Sequence, residues 1–484
     1  MSERLTLTED IPSTLRLRML RPVLLLCIAV VLLGCEGQSA RNLLPSHVPL
    51  IDINPDPAIT EVRLIASPAR KEYLPGKLAD VWAYRDGARS DSVGTVPGPM
   101  LQARVGEQVI VHFQNDLPAP TTVHWHGLRV PNAHDGSMSS QHEIPPGGTY
   151  DYRFVVQDAG SFWYHPHINA PEQVEKGLYA PLIVQGDPAI SVAAERYLVL
   201  DDVKLLGSGK LDEAVDPLDI MLGRPGNVLL VNGQREGRIE VPSGSRERWR
   251  LVNVANGRYF NLRLPGHRFY VIGWDGGLLP IPYVTETLLI APGERYDVLV
   301  TFESPPAGHL ALQNIYYDRG HNLQDPGPKD LVEVVYGPAG PPPAALPTVL
   351  RIPSSVSVHK NTPVRPFVLK EIEDPVNGAT FQINGERWPM NTPLHVTRGS
   401  TEIWEIEANP EMDHPFHLHG MFFQVLSIDG VPPSVQWGWK DTVNVPRGRK
   451  LRLAVQYDPP GTWMFHCHIL EHAERGMMGE LVID

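Results

Sequence analysis

The chain has 484 residues, with 42 Lys+Arg against 55 Asp+Glu and a formal net charge of −13. At 42% hydrophobic and 20% charged it has a globular composition, neither disordered nor membrane-embedded. The acidic balance argues against a nucleic-acid partner, which calls for a basic patch, and 3 Cys exclude a disulfide scaffold. The 48 Pro and 42 Gly imply many turns and short strands, and the 19 His need a cause.

Residues 1–35 read as a leader. Arg16, Arg18 and Arg21 precede the apolar run 22–33. About a dozen residues is short for a membrane span but suits the apolar core of a signal peptide. The run ends in Leu32-Leu33-Gly34-Cys35, which resembles a bacterial lipobox with a less usual Leu33. The expectation is export to the cell envelope or periplasm, with Cys35 lipidated as an anchor and 36–49 as a tether. An uncleaved signal anchor is the competing reading, and Met19 is an alternative start. Cys27 leaves with the leader, so Cys467 is the cysteine of the folded part.

The remainder repeats three times. Strand–turn–strand patterns lead to Asn115, Asn253 and Asn409, which are 138 and 156 residues apart. A second repeat, Pro146-Gly147-Gly148-Thr149-Tyr150-Asp151, returns as Pro292-Gly293-Glu294-Arg295-Tyr296-Asp297 and loosely as Pro446-Arg447-Gly448-Arg449-Lys450. Alternating apolar and polar residues between Gly/Pro turns predict half-buried antiparallel strands. Repeats of this length are whole domains. The expectation is an all-β chain of three β-sandwich domains, 50–187, 188–343 and 344–484, with a stiff Pro-rich linker at 337–343. No long helix is expected.

The first and third repeats carry histidines that the second lacks. His124-Trp125-His126-Gly127 matches His417-Leu418-His419-Gly420 at an offset of 293, and His165-Pro166-His167 matches His466-Cys467-His468 at 301. In a strand, residues i and i+2 point the same way, so each His-x-His puts two imidazoles on one face. Four pairs give eight neutral nitrogen ligands, more than one metal needs, which suggests a cluster shared by two domains. Imidazole suits Cu, Zn, Fe and Ni alike.

Cys467 narrows the choice. It points to the opposite face from His466 and His468, with His414, His472 and Met477 nearby in sequence. One Cys, two His and a distant Met make the blue-copper ligand set. Two metal centres would then be joined through the backbone of Cys467.

This constellation resembles the multicopper oxidases, the three-domain bacterial laccase-like type with cupredoxin-like Greek-key domains, over everything after the leader. The resemblance implies four copper ions. His414, Cys467 and His472 would hold the type 1 copper with Met477 axial. His124 and His417 would hold the type 2 copper. His126, His165, His167, His419, His466 and His468 would hold the type 3 pair. A small reducing substrate would give single electrons at type 1, and O2 would be reduced to water at the trinuclear cluster.

Oxygen reduction consumes protons, so an acid near the cluster is expected. Asp135, eleven residues after His124, lies where such relatives have an acid near type 2 copper; the plainer reading is the start of an Asp-Gly turn. Many bacterial relatives have a proton-relaying Glu directly after the last type 1 histidine. Here that position is Ala473, and Glu474, one residue later, is expected to face elsewhere. Met477 implies a low to moderate type 1 potential. The other nine histidines are expected at the surface or in hydrogen bonds, with His134 and His142 the candidate exceptions. Trp125, Trp163 and Trp463 are expected to pack around ligands, Met412 and Met421 to fill core, and Tyr316-Tyr317 to form a strand face, with an electron-entry path the alternative.

Three functions compete: a laccase-like oxidase of phenols or aromatic amines, a metallo-oxidase of Cu(I), Fe(II) or Mn(II), and a non-enzymatic copper-binding protein. The 11 Met are scattered, without the Met-rich insertion of cuprous oxidases. Every ligand is kept, which disfavours a scaffold. Three domains suffice for a monomer.

Overall fold

The computed structural model describes residues 42–484 except 306, 322, 353, 375–377, 410 and 434–437. The leader reading, with Cys27 and Cys35, lies outside the described residues. Leu43–Asp484 forms one compact unit.

Alternation builds the strands. In Ile59–Leu74 the inward set Val62, Leu64 and Ala66 is fully buried while the intervening residues are not. The strands assemble into three pairs of sheets. The first pair holds Lys77–Asp86, Ile59–Leu74, Gln108–Asn115 and Thr149–Val155 on one side. Opposite lie Leu101–Arg104, Ala180–Gln185, Gly160–His165 and His124–His126. A six- and a five-stranded sheet between Ala194 and Ala339 make the second sandwich, and two five-stranded sheets between Val364 and Ile483 the third. Spatial neighbours are mostly not sequence neighbours, as in Greek-key sandwiches. Each sandwich encloses its own apolar core. Helix is confined to short pieces, among them α1 (Ala170–Glu175), α2 (Pro217–Leu222) and α3 (Leu470–Glu474).

The two sequence repeats are two halves of one corner. The Asn115 side-chain amide donates to the Ile144 carbonyl at 2.8 Å, and Gly147 N–H donates back to the Asn115 carbonyl at 2.7 Å. In the second sandwich Asn253 donates to Ile290 at 2.9 Å, and Gly293 N–H to Asn253 at 2.9 Å. Each Asn satisfies carbonyls that the strand ladder leaves over. In the third sandwich Gly448 N–H instead bonds the Ala408 carbonyl, one residue earlier, which explains the looser match there.

The second-sandwich corner delivers Arg295 to the junction with the other two. Its guanidinium is fully buried, donates to Asp441 at 2.5 and 2.6 Å, and donates through Nε to the Ser161 carbonyl at 3.0 Å. Lys440 lies alongside, 3.0 Å from Asp275 and 3.1 Å from Glu294. A buried pair of this kind adds little net stability, yet removing one partner strands a charge. Arg295→Met is therefore expected to cost about 3–5 kcal/mol, measured as a lowered unfolding midpoint of the copper-free protein; an unchanged midpoint would contradict the role given to this network.

Candidate metal centres

Strand register brings the histidine blocks into equivalent positions. His124–His126 runs antiparallel to Gly160–His165 with His124 opposite His165. His414–Leu418 runs antiparallel to Gly461–Cys467 with His417 opposite His466. The two sandwiches then face one another. His124 stacks on His419 at 4.0 Å between ring centroids, and His126 on His417 at 3.9 Å.

The donor atoms converge in trios. His124, His126 and His165 form one, His124, His417 and His419 another, and His167, His419 and His466 a third, each with ligand atoms within 4.8 Å of one another. His466 Nε2 lies 3.0 Å from His419 Nε2 and 3.3 Å from His167 Nε2. On the far face of the strand, Cys467 Sγ lies 3.6 Å from His414 Nδ1 and 3.7 Å from His472 Nδ1, and the two nitrogens are 3.3 Å apart. A cation at the centre of that triangle stands about 2 Å from each atom, a metal–nitrogen distance. Met477 is fully buried in the same core cluster as Cys467.

The residues fit metal ions. Hydrogen bonds fix the imidazoles from behind. Nδ1–H donates to a backbone carbonyl in His124 (Asp135, 2.8 Å), His165 (Pro166, 2.8 Å), His417 (Asp441, 2.9 Å) and His466 (Cys467, 2.8 Å), and in His419 to Asp135 Oδ2 at 2.9 Å. That leaves Nε2 of each as a lone pair aimed inward. His126 is held the other way: Nε2 faces Thr442 and Asp441, and Nδ1 is buried without a partner. His124 Nε2, His165 Nε2, His417 Nε2 and both His468 nitrogens are buried and equally without partners. Burial pushes His126, His165, His419, His466 and His468 toward the neutral form that a metal needs, and His167 and His414 to about 3. It also pushes the Cys467 thiol up, so a bound cation must displace that proton.

Asp135 is fully buried and spans His124 and His419. Burial alone would raise its carboxyl, but the two histidines hold it well below the usual range. Two partners escaped the sequence reading. Asp441 is the counterpart of Asp135 across the cluster, 3.3 Å from His126 and 3.5 Å from His417. Burial would raise its carboxyl too, and Arg295 holds it down. The Pro292-Gly293 turn packs so closely that a Cβ at Gly293 would meet His468 at 2.9 Å and His126 at 3.1 Å. The repeated Pro-Gly turn was the available signal for Arg295.

Two expectations need correction. Glu474 does not face away: it lines a small cavity with Ala473 that borders His165, His167 and His466. It sits on helical α3, so strand alternation does not apply to it. Tyr316 and Tyr317 are not a strand face, because the strand Ala311–Ile315 ends before them. Trp163 stacks on His165 at 4.2 Å, Trp125 and Trp463 are buried, and Met412 and Met421 fill core. Among the described residues neither His134 nor His142 joins a donor group.

The multicopper oxidase family profiles match residues 88–189, 201–327 and 361–484. The multicopper oxidase MmcO of Mycobacterium tuberculosis is 31% identical over 80% of this chain and 81% of its own. A laccase of Bacillus subtilis is 28% identical over 82% and 89%. A solved multicopper oxidase of Campylobacter jejuni, described as a metallo-oxidase, superposes with a TM-score of 0.79 at 28% identity, covering 92% of this chain and 98% of its own.

Asp135→Asn keeps the shape but weakens the support of His124 and His419. Copper affinity or turnover is expected to fall about 10–100-fold, measured by chelator competition and O2 consumption; unchanged values would remove Asp135 from the site.

Proposed function

The chain belongs to the multicopper oxidase family, and we propose that it oxidises phenols or aromatic amines one electron at a time while reducing O2 to water. The observation that carries this reading is the Cys467 backbone, with a His₂Cys donor trio on one face and the histidine cluster on the other. His414, Cys467, His472 and Met477 would hold type 1 copper. His124 and His417 would hold type 2, and His126, His165, His167, His419, His466 and His468 the type 3 pair, four copper ions in all. When bound, the copper supplies one-electron redox steps and the binding and reduction of O2. The protein's own residues do the rest. Hydrogen bonds behind each imidazole fix which nitrogen is presented. Asp135 and Asp441 hold both sides of the cluster. Glu474 borders the small cavity of about 50 Å³ that reaches the type 3 ligands.

Oxidation of Cu(I), Fe(II) or Mn(II) is the second reading, drawn from the metallo-oxidase neighbour and from a glutamate-lined cavity beside Glu471. Against it, the methionines are scattered, and among the described residues every donor trio of His, Cys, Asp and Glu belongs to the two centres. Retention of all ligands disfavours a non-enzymatic role. We also propose export with lipidation at Cys35, and a monomer.

Copper-loaded protein is expected to be blue and to take up O2 faster with a phenol than with Cu(I), Fe(II) or Mn(II); the reverse order would select the second reading. Met477→Leu is expected to raise the type 1 potential in a redox titration; no change would remove Met477 as a ligand.

A further inference from the structure

Two cavities flank α2, and they differ in charge. One, of about 390 Å³, is lined by Glu172, Glu175, Glu213, Glu471 and Glu474 with three cationic side chains among them. The other, of about 400 Å³, has no acidic residue in its lining; it presents Tyr259, Tyr316, Tyr317, Arg258, Arg319 and Lys329. Both volumes suit a small ligand.

The second cavity touches both type 1 histidine ligands at one remove. The Tyr317 hydroxyl donates to Asp413 at 2.6 Å, and Asp413 precedes His414 and donates its N–H to the Arg319 carbonyl at 2.8 Å. Leu222, also in the lining, follows Met221, whose carbonyl faces His472 Nε2 at 3.1 Å. Tyr259 and Tyr317 stack at 5.7 Å with 23° between planes, an aromatic wall beside the ligands.

The charges are unequal in their partners. Arg258 is paired with Asp202. Arg319 is only 6% exposed and donates to the carbonyls of Gly257 and Leu222, with its guanidinium over the Tyr259 ring at 5.5 Å. Among the described residues neither Arg319 nor exposed Lys329 has a carboxylate within ion-pair distance. A buried cation without a counter-charge in contact is costly unless something else supplies one; Asp202 and Asp413 act on Arg319 only from beyond ion-pair distance, and its guanidinium-bearing side chain lines the cavity.

Resting on the oxidase reading above, we propose that this cavity binds electron-rich phenols that carry a carboxylate. The ring lies against the tyrosine wall, and the carboxylate answers Arg319 and Lys329. Each oxidation takes one electron and the hydroxyl proton from the phenol, leaving a phenoxyl radical; the proton passes to water, and O2 is the final electron acceptor.

The test is a calorimetric titration of the copper-loaded protein with 4-methoxybenzoate and 4-methoxybenzamide, which share shape and differ in charge. The benzoate is expected to bind at least about tenfold tighter, the worth of one charge-assisted hydrogen bond. Arg319→Gln should erase the preference, Arg319→Lys should retain part of it, and the surface variant Lys329→Gln should weaken it. A parallel assay compares KM for 4-hydroxy-3,5-dimethoxybenzoate and its methyl ester. If both phenols are oxidised with equal KM and the two probes bind equally, the proposal falls while the oxidase reading stands. If neither phenol is oxidised, the oxidase reading falls, whatever the probes do. A preference that survives both Arg319→Gln and Lys329→Gln, or tighter binding of 4-methoxybenzylamine, would also overturn the assignment.

Discussion

The structure turns on imidazole lone pairs that point at one another inside the protein. Two ring nitrogens, one from each of two sandwiches, stand 3.0 and 3.3 Å from His466 Nε2, and a second trio gathers at Cys467. Neutral acceptors at that range repel, and burial disfavours their protonated forms. Only a cation reconciles them. The hydrogen bonds behind each ring make the arrangement durable, because they fix the tautomer and leave the inward nitrogen no other use. The converging rings come from the first and the third sandwich, so a cation held among them would bridge the two.

The second sandwich offers no histidine to the cluster, yet it is built into it. Its corner holds Arg295 against Asp441, and Asp441 holds His126 and His417. Asp135 does the same for His124 and His419 from the first sandwich. The cluster is thus gripped by two carboxylates on opposite sides, one of them neutralised by a buried guanidinium. The two grips differ in consequence: Asp135 depends on its own loop, whereas Asp441, on the third sandwich, depends on the docking of the second.

Much of this was legible in the sequence because strand periodicity is short and rigid. A His-x-His in a strand must share a face, so the four pairs, Cys467 and the three-sandwich plan followed from spacing. What escaped depended on tertiary placement. Asp441 and Arg295 are 146 residues apart and meet only when the second and third sandwiches dock. Arg295 stood in a repeat that was recognised as a turn, but a turn repeat carries no information about what its last residue touches. Glu474, one residue past the expected position, still reaches the cavity because on α3 a one-residue shift turns the side chain by only about 100°. Tyr316 and Tyr317 escape the strand expectation because the strand ends at Ile315, before the aromatic pair begins.

The most direct test is diffraction from crystals of copper-loaded protein at the copper absorption edge. The account predicts one anomalous peak among His414, Cys467 and His472, and a group of three between the histidines of the first and third sandwiches. A peak at Cys467 with none between the sandwiches would contradict it.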